Sequence, residues 1–267
     1  MTVDRATTVA AQNIAINLSN QVLGGIIVDV KGEPISVAAM NFDSSAVPSA
    51  ATGGSLDTND ITNITLVAED GTVIAGPVDG VAGGNNGIRF TDTVTFPVGR
   101  KVYTLKGKLN TDFSNNDTVI ASSTPSSDWT TVRGVNTSQT VTPAGGTVTM
   151  STMTVKAASL TVTISANTNA AAINQDLVVG SVAYPFTRYV LDASSSGEDV
   201  RITQFALRVG IDTANTADDM NNCQVVDGTT ALNTGTNVVN PGNTAADADA
   251  TTFTLDTGLV IPKGTVK

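Results

Sequence analysis

The chain has no histidine and one cysteine, Cys223. Without an imidazole a Ser-His-Asp or Cys-His site is excluded, and without Cys/His clusters so is an ordinary zinc centre. A lone cysteine closes no disulfide within the chain, so the fold is held non-covalently. Cys223 lies in an apolar run and reads as a small buried hydrophobe. Aromatic residues make up 4% and charged residues 14% of the 267 positions, and the net charge is −10. Few aromatics, scattered Lys and Arg, and a field that repels phosphate together argue against nucleic acid as a partner. No apolar run approaches the roughly 18 residues of a membrane span. Met1 to Arg5 also lacks the basic and apolar regions of a signal peptide, so an exported protein would be represented here by a mature or excised piece. Finally, no stretch of ten or more residues shows a capped 3.6-residue apolar period, which argues against helices.

What remains is rich in Thr, Val, Ser, Asn and Gly. Thr and Val suit a pleated, half-buried surface, and Gly/Asn/Asp clusters punctuate it. The expectation is an all-β fold. Glu33, Glu69 and Glu198 are the only glutamates, so the negative charge is mostly Asp. Short Asp side chains belong in turns and at strand ends, which makes turn chemistry and solubility the first explanation of the charge.

One stretch organises the rest. Ile61 to Val67 runs into Asp70-Gly71, Thr72 to Ala75 follows, and Ile88 to Phe96 closes the unit at Pro97-Val98-Gly99. Two β-rich runs joined by Asp-Gly predict a hairpin with a type I′ turn. Cys223 to Val226, Asp227-Gly228 and Thr229 to Leu232 repeat the hairpin, and Phe253 to Gly264, with Pro262, repeats the closing strand. A third correspondence is a slip in alternation. Large apolar residues fall at Ile35 and Val37, then Met40 and Phe42; later they fall at Val200 and Ile202, then Phe205 and Leu207. Such a slip flips the faces and predicts a β-bulge or a crossing between sheets. Ile35 and Val200 lie 165 residues apart, as do Pro97 and Pro262, whereas the Asp-Gly turns differ by 157. The pattern predicts tandem copies of one β-domain with loops of unequal length.

Taken in order, residues 1–12 read as an N-terminal arm or linker, and strands begin with the alternation of Ile14, Ile16 and Leu18. Domain one spans 13–156, with a Ser/Ala/Gly loop from Asp43 to Asp60, a Gly-rich loop from Val78 to Asn86, and a clear alternating strand from Lys101 to Leu109. Trp129, the only tryptophan, is read as the plug of a sandwich end in preference to a platform for sugar. The pattern restarts near Lys156. There Leu160, Val162, Ile164 and Ser165 match Ile14, Ile16, Leu18 and Ser19. Domain two, 157–267, holds no counterpart of Val102 to Val155 and stops after its Pro-Gly turn, which predicts an incomplete sandwich. Either the native chain continues past Lys267, or another subunit inserts a strand, for which the N-terminal arm with Val3, Ala6, Val9, Ala10 and the run Ile14 to Leu18 is the available donor.

Three segments carry a resemblance: Ser196-Gly-Glu-Asp-Val-Arg-Ile-Thr-Gln-Phe205, Val226-Asp-Gly-Thr-Thr230 and Leu259-Val-Ile-Pro-Lys-Gly-Thr-Val-Lys267. They resemble the tandem immunoglobulin-like β-sandwich repeats of bacterial cell-surface and surface-layer-like proteins. The resemblance covers most of 157–267 and, more loosely, 13–110; the Gly-rich inserts of domain one depart from it. It implies tandem immunoglobulin-like sandwiches, the second incomplete as given, at an extracellular location. Its motifs are structural and imply no activity.

Candidate chemistry is sparse. Gly83-Gly84-Asn-Asn-Gly87 lacks the Lys and the strand-to-helix setting of a phosphate loop. Asp218-Asp219 do not form a separated carboxylate pair flanking a cleft, as glycoside hydrolysis needs. Calcium at an Asp212/Asp218/Asp219 loop, with carbonyls from Asn215 and Asn221, is the one metal site the sequence suggests, and a solvated loop is the favoured alternative. Asn17, Asn63, Asn116 and Asn136 each open an Asn-x-Ser/Thr sequon, which a Thr-rich chain also makes by chance. No catalytic, cofactor or metal residue is therefore assigned. The expectation is a non-enzymatic structural protein of the cell exterior, a surface-layer or filament subunit that pairs with copies of itself. The alternatives are an adhesin or carbohydrate-binding module, with a glycan as its ligand, and a phage or virion decoration protein.

Overall fold

The computed structural model describes residues 1–49, 56–82, 87–165, 178, 180–207, 220–241 and 251–267. Two compact units divide the chain: Met1–Ala158 with Ser195–Glu198, and Ser159–Ser194 with Asp199–Lys267. The regular structure of the described residues is almost entirely strand, as the Thr/Val alternation predicts. The exceptions are one four-residue helix, α1 (Pro125–Asp128), and two single 3₁₀ turns.

Unit one is built from two sheets. The first contains β1 (Thr2–Arg5), β3 (Gln21–Val30), β5 (Ile61–Ala68), β6 (Val73–Val78) and β9 (Gly99–Leu109), in the spatial order β1-β3-β9-β5-β6. The second is organised on β4 (Ile35–Val47). On one side of β4 run β10 (Thr118–Ser123) and β11 (Trp129–Gly134), one strand interrupted by α1. On its other side lie β7 (Ile88–Phe90) and β8 (Val94–Phe96). Beyond β10 come β12 (Val148–Thr149), β13 (Met153–Val155) and β2 (Asn13–Ile14), which pairs parallel with β13.

Between the sheets lies one continuous cluster of buried side chains. Most of the large aromatics gather there: Phe96 stacks on Trp129 at 5.6 Å and meets Tyr103 edge-on at 5.1 Å, while Phe42 meets Phe90 edge-on at 5.9 Å. Each fully buried side chain of this size contributes about 1.5–3 kcal/mol relative to exposure.

The expected N-terminal arm is instead an edge strand. Thr2 to Arg5 pair antiparallel with Asp29 to Ile26, and Val3 and Ala6 are buried. A single inward valine opposite Val28 is enough to dock so short a strand, and it gives too little alternation to be seen in sequence. Conversely, the alternation of Ile14, Ile16 and Leu18 does not make a long strand: β2 has two residues, and Ile16 and Leu18 are exposed. Domain one accordingly begins at β1 and not at residue 13. The start of the expected loop at 43–60 is also strand, because β4 continues to Val47 against β10.

Unit two contains β14 (Thr161–Ile164) paired with β15 (Tyr189–Asp192), β16 (Val200–Leu207) paired with β19 (Thr251–Ile261), and a small hairpin of β17 (Val226–Asp227) and β18 (Thr230–Ala231). Residues 265–267 run along the far side of β15, where Leu191 and Lys267 exchange backbone hydrogen bonds of 2.7 and 2.8 Å. So β15 lies between β14 and residues 265–267, as β3 lies between β1 and β9. The segment Leu160 to Ser165 thus stands where β1 stands, not where β2 does. Leu191, Ala193 and Ile261 form the buried cluster, with Leu160, Val200, Ile202, Phe205 and Leu259 packed against it.

The slip in alternation has the same structural cause in both units. In unit one Ile35 and Val37 pair with Phe96 and Val94, and Met40 pairs with Phe90, so residues 91–93 form extra length opposite the slip. In unit two Val200 and Ile202 pair with Ile261 and Leu259, and Phe205 pairs with Phe253; residues 255–258 supply the extra length. Pairs at the beginning of these strands match at the 165-residue offset. The Asp-Gly turns, in contrast, differ in type. Ala68 and Thr72 close a three-residue loop in which Gly71 (φ 87°) takes the left-handed position, the arrangement of a type I turn with a G1 bulge. Asp227 and Thr230 close a two-residue loop with positive φ at Gly228 but not at Thr229, which is type II′. Neither is the type I′ turn that Asp-Gly predicts.

Candidate assembly surface

Several acidic side chains spend their oxygens on backbone N–H groups, whereas Asp227 pairs with the Lys267 ammonium at 2.7 Å. Asp117 is fully buried, and its two carboxylate oxygens accept from the amides of Ser49 (2.7 Å) and Ser114 (2.6 Å), fixing the end of β4 to the loop before β10. Asp57 and Asp60 form a reciprocal capping box around the 3₁₀ turn before β5, and Asp60 also accepts from the Asn110 side chain. Glu33 clasps the turn after β11 through the amides of Asn136 and Thr137 and the Thr137 hydroxyl, with the hydroxyl bond foremost in holding its pKa below the usual glutamate range.

The bulges carry a matching pair that the sequence reading passed over. Asp92 accepts from the Gly76 amide (2.8 Å), on the strand leaving the first hairpin. Asp256 accepts from the Thr234 amide (3.2 Å), the Thr234 hydroxyl (2.7 Å) and the Asn237 side chain (2.8 Å), on the chain leaving the second. The Asn237 and Thr234 side chains, then the Thr234 amide, lower its pKa. Both acids precede a threonine on the closing-strand side, but they lie 164 residues apart, one short of the 165-residue offset, so spacing alone does not pair them. These arrangements are turn chemistry, as the Asp-rich composition suggested. Among the described residues no three His, Cys, Asp or Glu side chains gather to hold a metal ion. Asp212, Asn215, Asp218 and Asp219 lie outside the described residues, and Asn221 is exposed.

Trp129 is 4% exposed, donates its Nε1–H to Ser123 Oγ (3.1 Å) and lies flat on Phe96, so it belongs to the core and presents no face to a sugar. Asn17, Asn63, Asn116 and Asn136 are all exposed. The first three have φ of 57°, 50° and 76°, left-handed positions that Asn tolerates better than most residues, which accounts for their presence without glycosylation. Cys223 is half-buried, and burial raises its thiol pKa.

The two units differ most in their sheet edges and apolar surface. In unit one β1 is bridged on its outer side at Ala144, whose amide donates to the Met1 carbonyl (3.0 Å). The edge strand β6 carries Gly76 and Pro77, joined by a cis peptide bond, and proline offers no N–H to a new neighbour. At Gly76 (φ 90°) a Cβ would stand 2.4 Å from the Ile64 carbonyl oxygen, so glycine is required there. In unit two Val162 (51%) and Ile164 (66%) are exposed although they sit opposite Leu191 and Tyr189, on the face that carries the buried Leu191. Phe186 is 53% exposed beside Tyr184. Among the described residues this apolar sheet face runs out to an edge with no further strand beside it. Among the described residues no helix is long and apolar enough to cross a membrane.

Comparison with known proteins gives no match: no family model, no curated protein and no solved structure is significantly similar to the chain.

Proposed function

We propose that the chain is a structural protein of the cell exterior, a subunit of a surface layer or self-assembling filament built from tandem immunoglobulin-like repeats. The observation that carries this reading is the repetition of one strand pair: Ile35–Phe96 and Val37–Val94 in unit one, Val200–Ile261 and Ile202–Leu259 in unit two, each residue 165 positions from its counterpart. A bulge acid tied to the preceding hairpin accompanies both. Repetition of architecture, with no cluster of three His, Cys, Asp or Glu among the described residues, suits a building block.

Strand order supports the immunoglobulin-like assignment of unit one. Taking β1, β3, β4, β5, β9, β10 and β13 as strands A to G gives A-B-E-D in one sheet and C-F-G in the other, the order of a constant-type domain. The additional β7 and β8 lie beside β4 but follow β5 and β6 in sequence, outside that seven-strand order.

Electron microscopy of the purified chain at tens of micromolar tests the function. Regular filaments or two-dimensional arrays are expected. A monodisperse monomer that binds glycans would transfer the assignment to an adhesin or carbohydrate-binding module.

A further inference from the structure

We infer that β14 is a self-association edge, at which two copies of this chain pair strand to strand about a two-fold axis. Thr161 to Ile164 pair on one side with Asp192 to Tyr189, and Ser165 donates its amide to the Arg188 carbonyl (2.8 Å). That bond makes Ser165–Arg188 a hydrogen-bonded pair, and by the alternation of an antiparallel ladder Thr163 and Thr161 also turn their N–H and C=O groups towards β15. Val162 and Ile164 therefore point theirs outward. Among the described residues nothing receives them: all four residues of β14 are exposed, and no second strand lies beside it.

Natural edge strands are guarded by charge, proline, bulges or a covering segment. Unit one shows three such devices: Asp4 and Arg5 on β1, the Ala144 bridge over it, and Pro77 in β6. β14 has none. Its sequence, Thr-Val-Thr-Ile, is uncharged and β-branched throughout. In a chain of net charge −10, two copies repel each other over most of their surfaces, and an uncharged edge is where they approach at least cost.

The occupant is a second copy because the edge is self-complementary. With the outward groups on Val162 and Ile164, an antiparallel partner of the same sequence places the two-fold at Thr163 and sets Val162 of each copy opposite Ile164 of the other. The sheet becomes β15-β14-β14-β15. The exposed Val162 and Ile164 side chains, on the Leu191 face, become cross-strand neighbours, the pairing that stabilises sheets. The two Thr163 residues form a non-hydrogen-bonded pair with Cα atoms about 4.5 Å apart, within disulfide range.

This inference rests on the self-assembly reading and supplies one of its contacts. Its test uses the full chain with Thr163→Cys in a Cys223→Ser background, oxidised at tens of micromolar, beside Thr8→Cys at an exposed site of unit one. A disulfide-linked dimer from the first variant and not from the second is expected. In sedimentation velocity, Val162→Lys, an exposed change that leaves the fold intact, is expected to weaken self-association at least tenfold. Regular polymers that persist in Val162→Lys, with no Thr163→Cys dimer, would overturn the edge while leaving self-assembly standing. A Thr163→Cys dimer from a chain that forms no regular polymer would uphold the edge and sink the filament. Capture of β14 by a foreign peptide with no self-association would also overturn the inference.

Discussion

Among the described residues of unit one thirty buried side chains form a single cluster, and twelve of them, from Tyr103 to Val155, come from β9 onwards. Among those of unit two the cluster comprises Leu191, Ala193 and Ile261. Yet the strand pair at the front of each unit is in the same register, with the same slip and an acid within each bulge. Register is thus set by local devices, turn, bulge and carboxylate, which need only two strands. Burial needs a second layer, and the face of β14 and β15 is where the described residues of unit two supply it least.

The comparison predicts two unfolding steps. Trp129, being the only tryptophan and buried in unit one, reports on that unit alone. In a denaturant titration its fluorescence transition is expected at higher denaturant than the first change in far-ultraviolet circular dichroism; coincident transitions would mean that the two units unfold as one. The largest single-residue effect is expected at Phe42→Ala, where a fully buried ring beside Phe90 is lost: about 3–5 kcal/mol by denaturant unfolding. Phe186→Ala, at a half-exposed ring of unit two, is expected to stay within about 0.5 kcal/mol. Equal losses at the two sites would erase the contrast.

Next in size is Asp117→Ala. Removing the carboxylate leaves the Ser49 and Ser114 amides without their acceptor, a loss of about 1–3 kcal/mol, with faster amide hydrogen exchange at both. A change of similar stability but unaltered exchange would place the effect elsewhere.

Much of this was legible in the sequence, and the exceptions have physical causes. Periodicity exposed the slipped strand, both hairpins, the closing strands and the strand at Lys101 to Leu109, because each is long enough to show alternation. It missed β1, whose single inward Val3 makes no pattern, and it over-read Ile14, Ile16 and Leu18, whose alternation is only partly buried. Turn type was misjudged because Asp-Gly admits several geometries, and loop length decides among them. The abundance of Asp pointed to turns, but not to which turns. Glu33 reaches amides more than a hundred residues away, and no local rule connects them.

The smallest expected effects concern those exposed acids. Glu33, Asp70, Asp192 and Asp256 all have pKa values held below the ordinary carboxylate range: Glu33 and Asp192 chiefly by side-chain hydrogen bonds from Thr137 and Ser194, Asp70 by the Thr72 amide, and Asp256 by the Asn237 side chain. A depressed folded-state pKa contributes stability above the unfolded value, and that contribution is lost as pH falls through the folded one. Stability is therefore expected to be flat near neutrality and to decline below about pH 4, the model-carboxylate region. Asp256→Asn is expected to reduce the decline slightly and to speed exchange at the Thr234 amide; an unchanged acid limb would assign it to the other acids.

Among the described residues one carboxylate, Asp227, pairs with an ammonium group, that of Lys267 at 2.7 Å, while many others are fastened to amides, and this bears on how the molecule meets brine. Ion pairs weaken as added electrolyte screens them, whereas a carboxylate held within hydrogen-bond distance of an N–H has little long-range attraction to lose. What electrolyte does screen here is the mutual repulsion of an acidic surface, both within one chain and between two. Added salt is therefore expected to change the stability of the fold little and to let copies approach one another more readily.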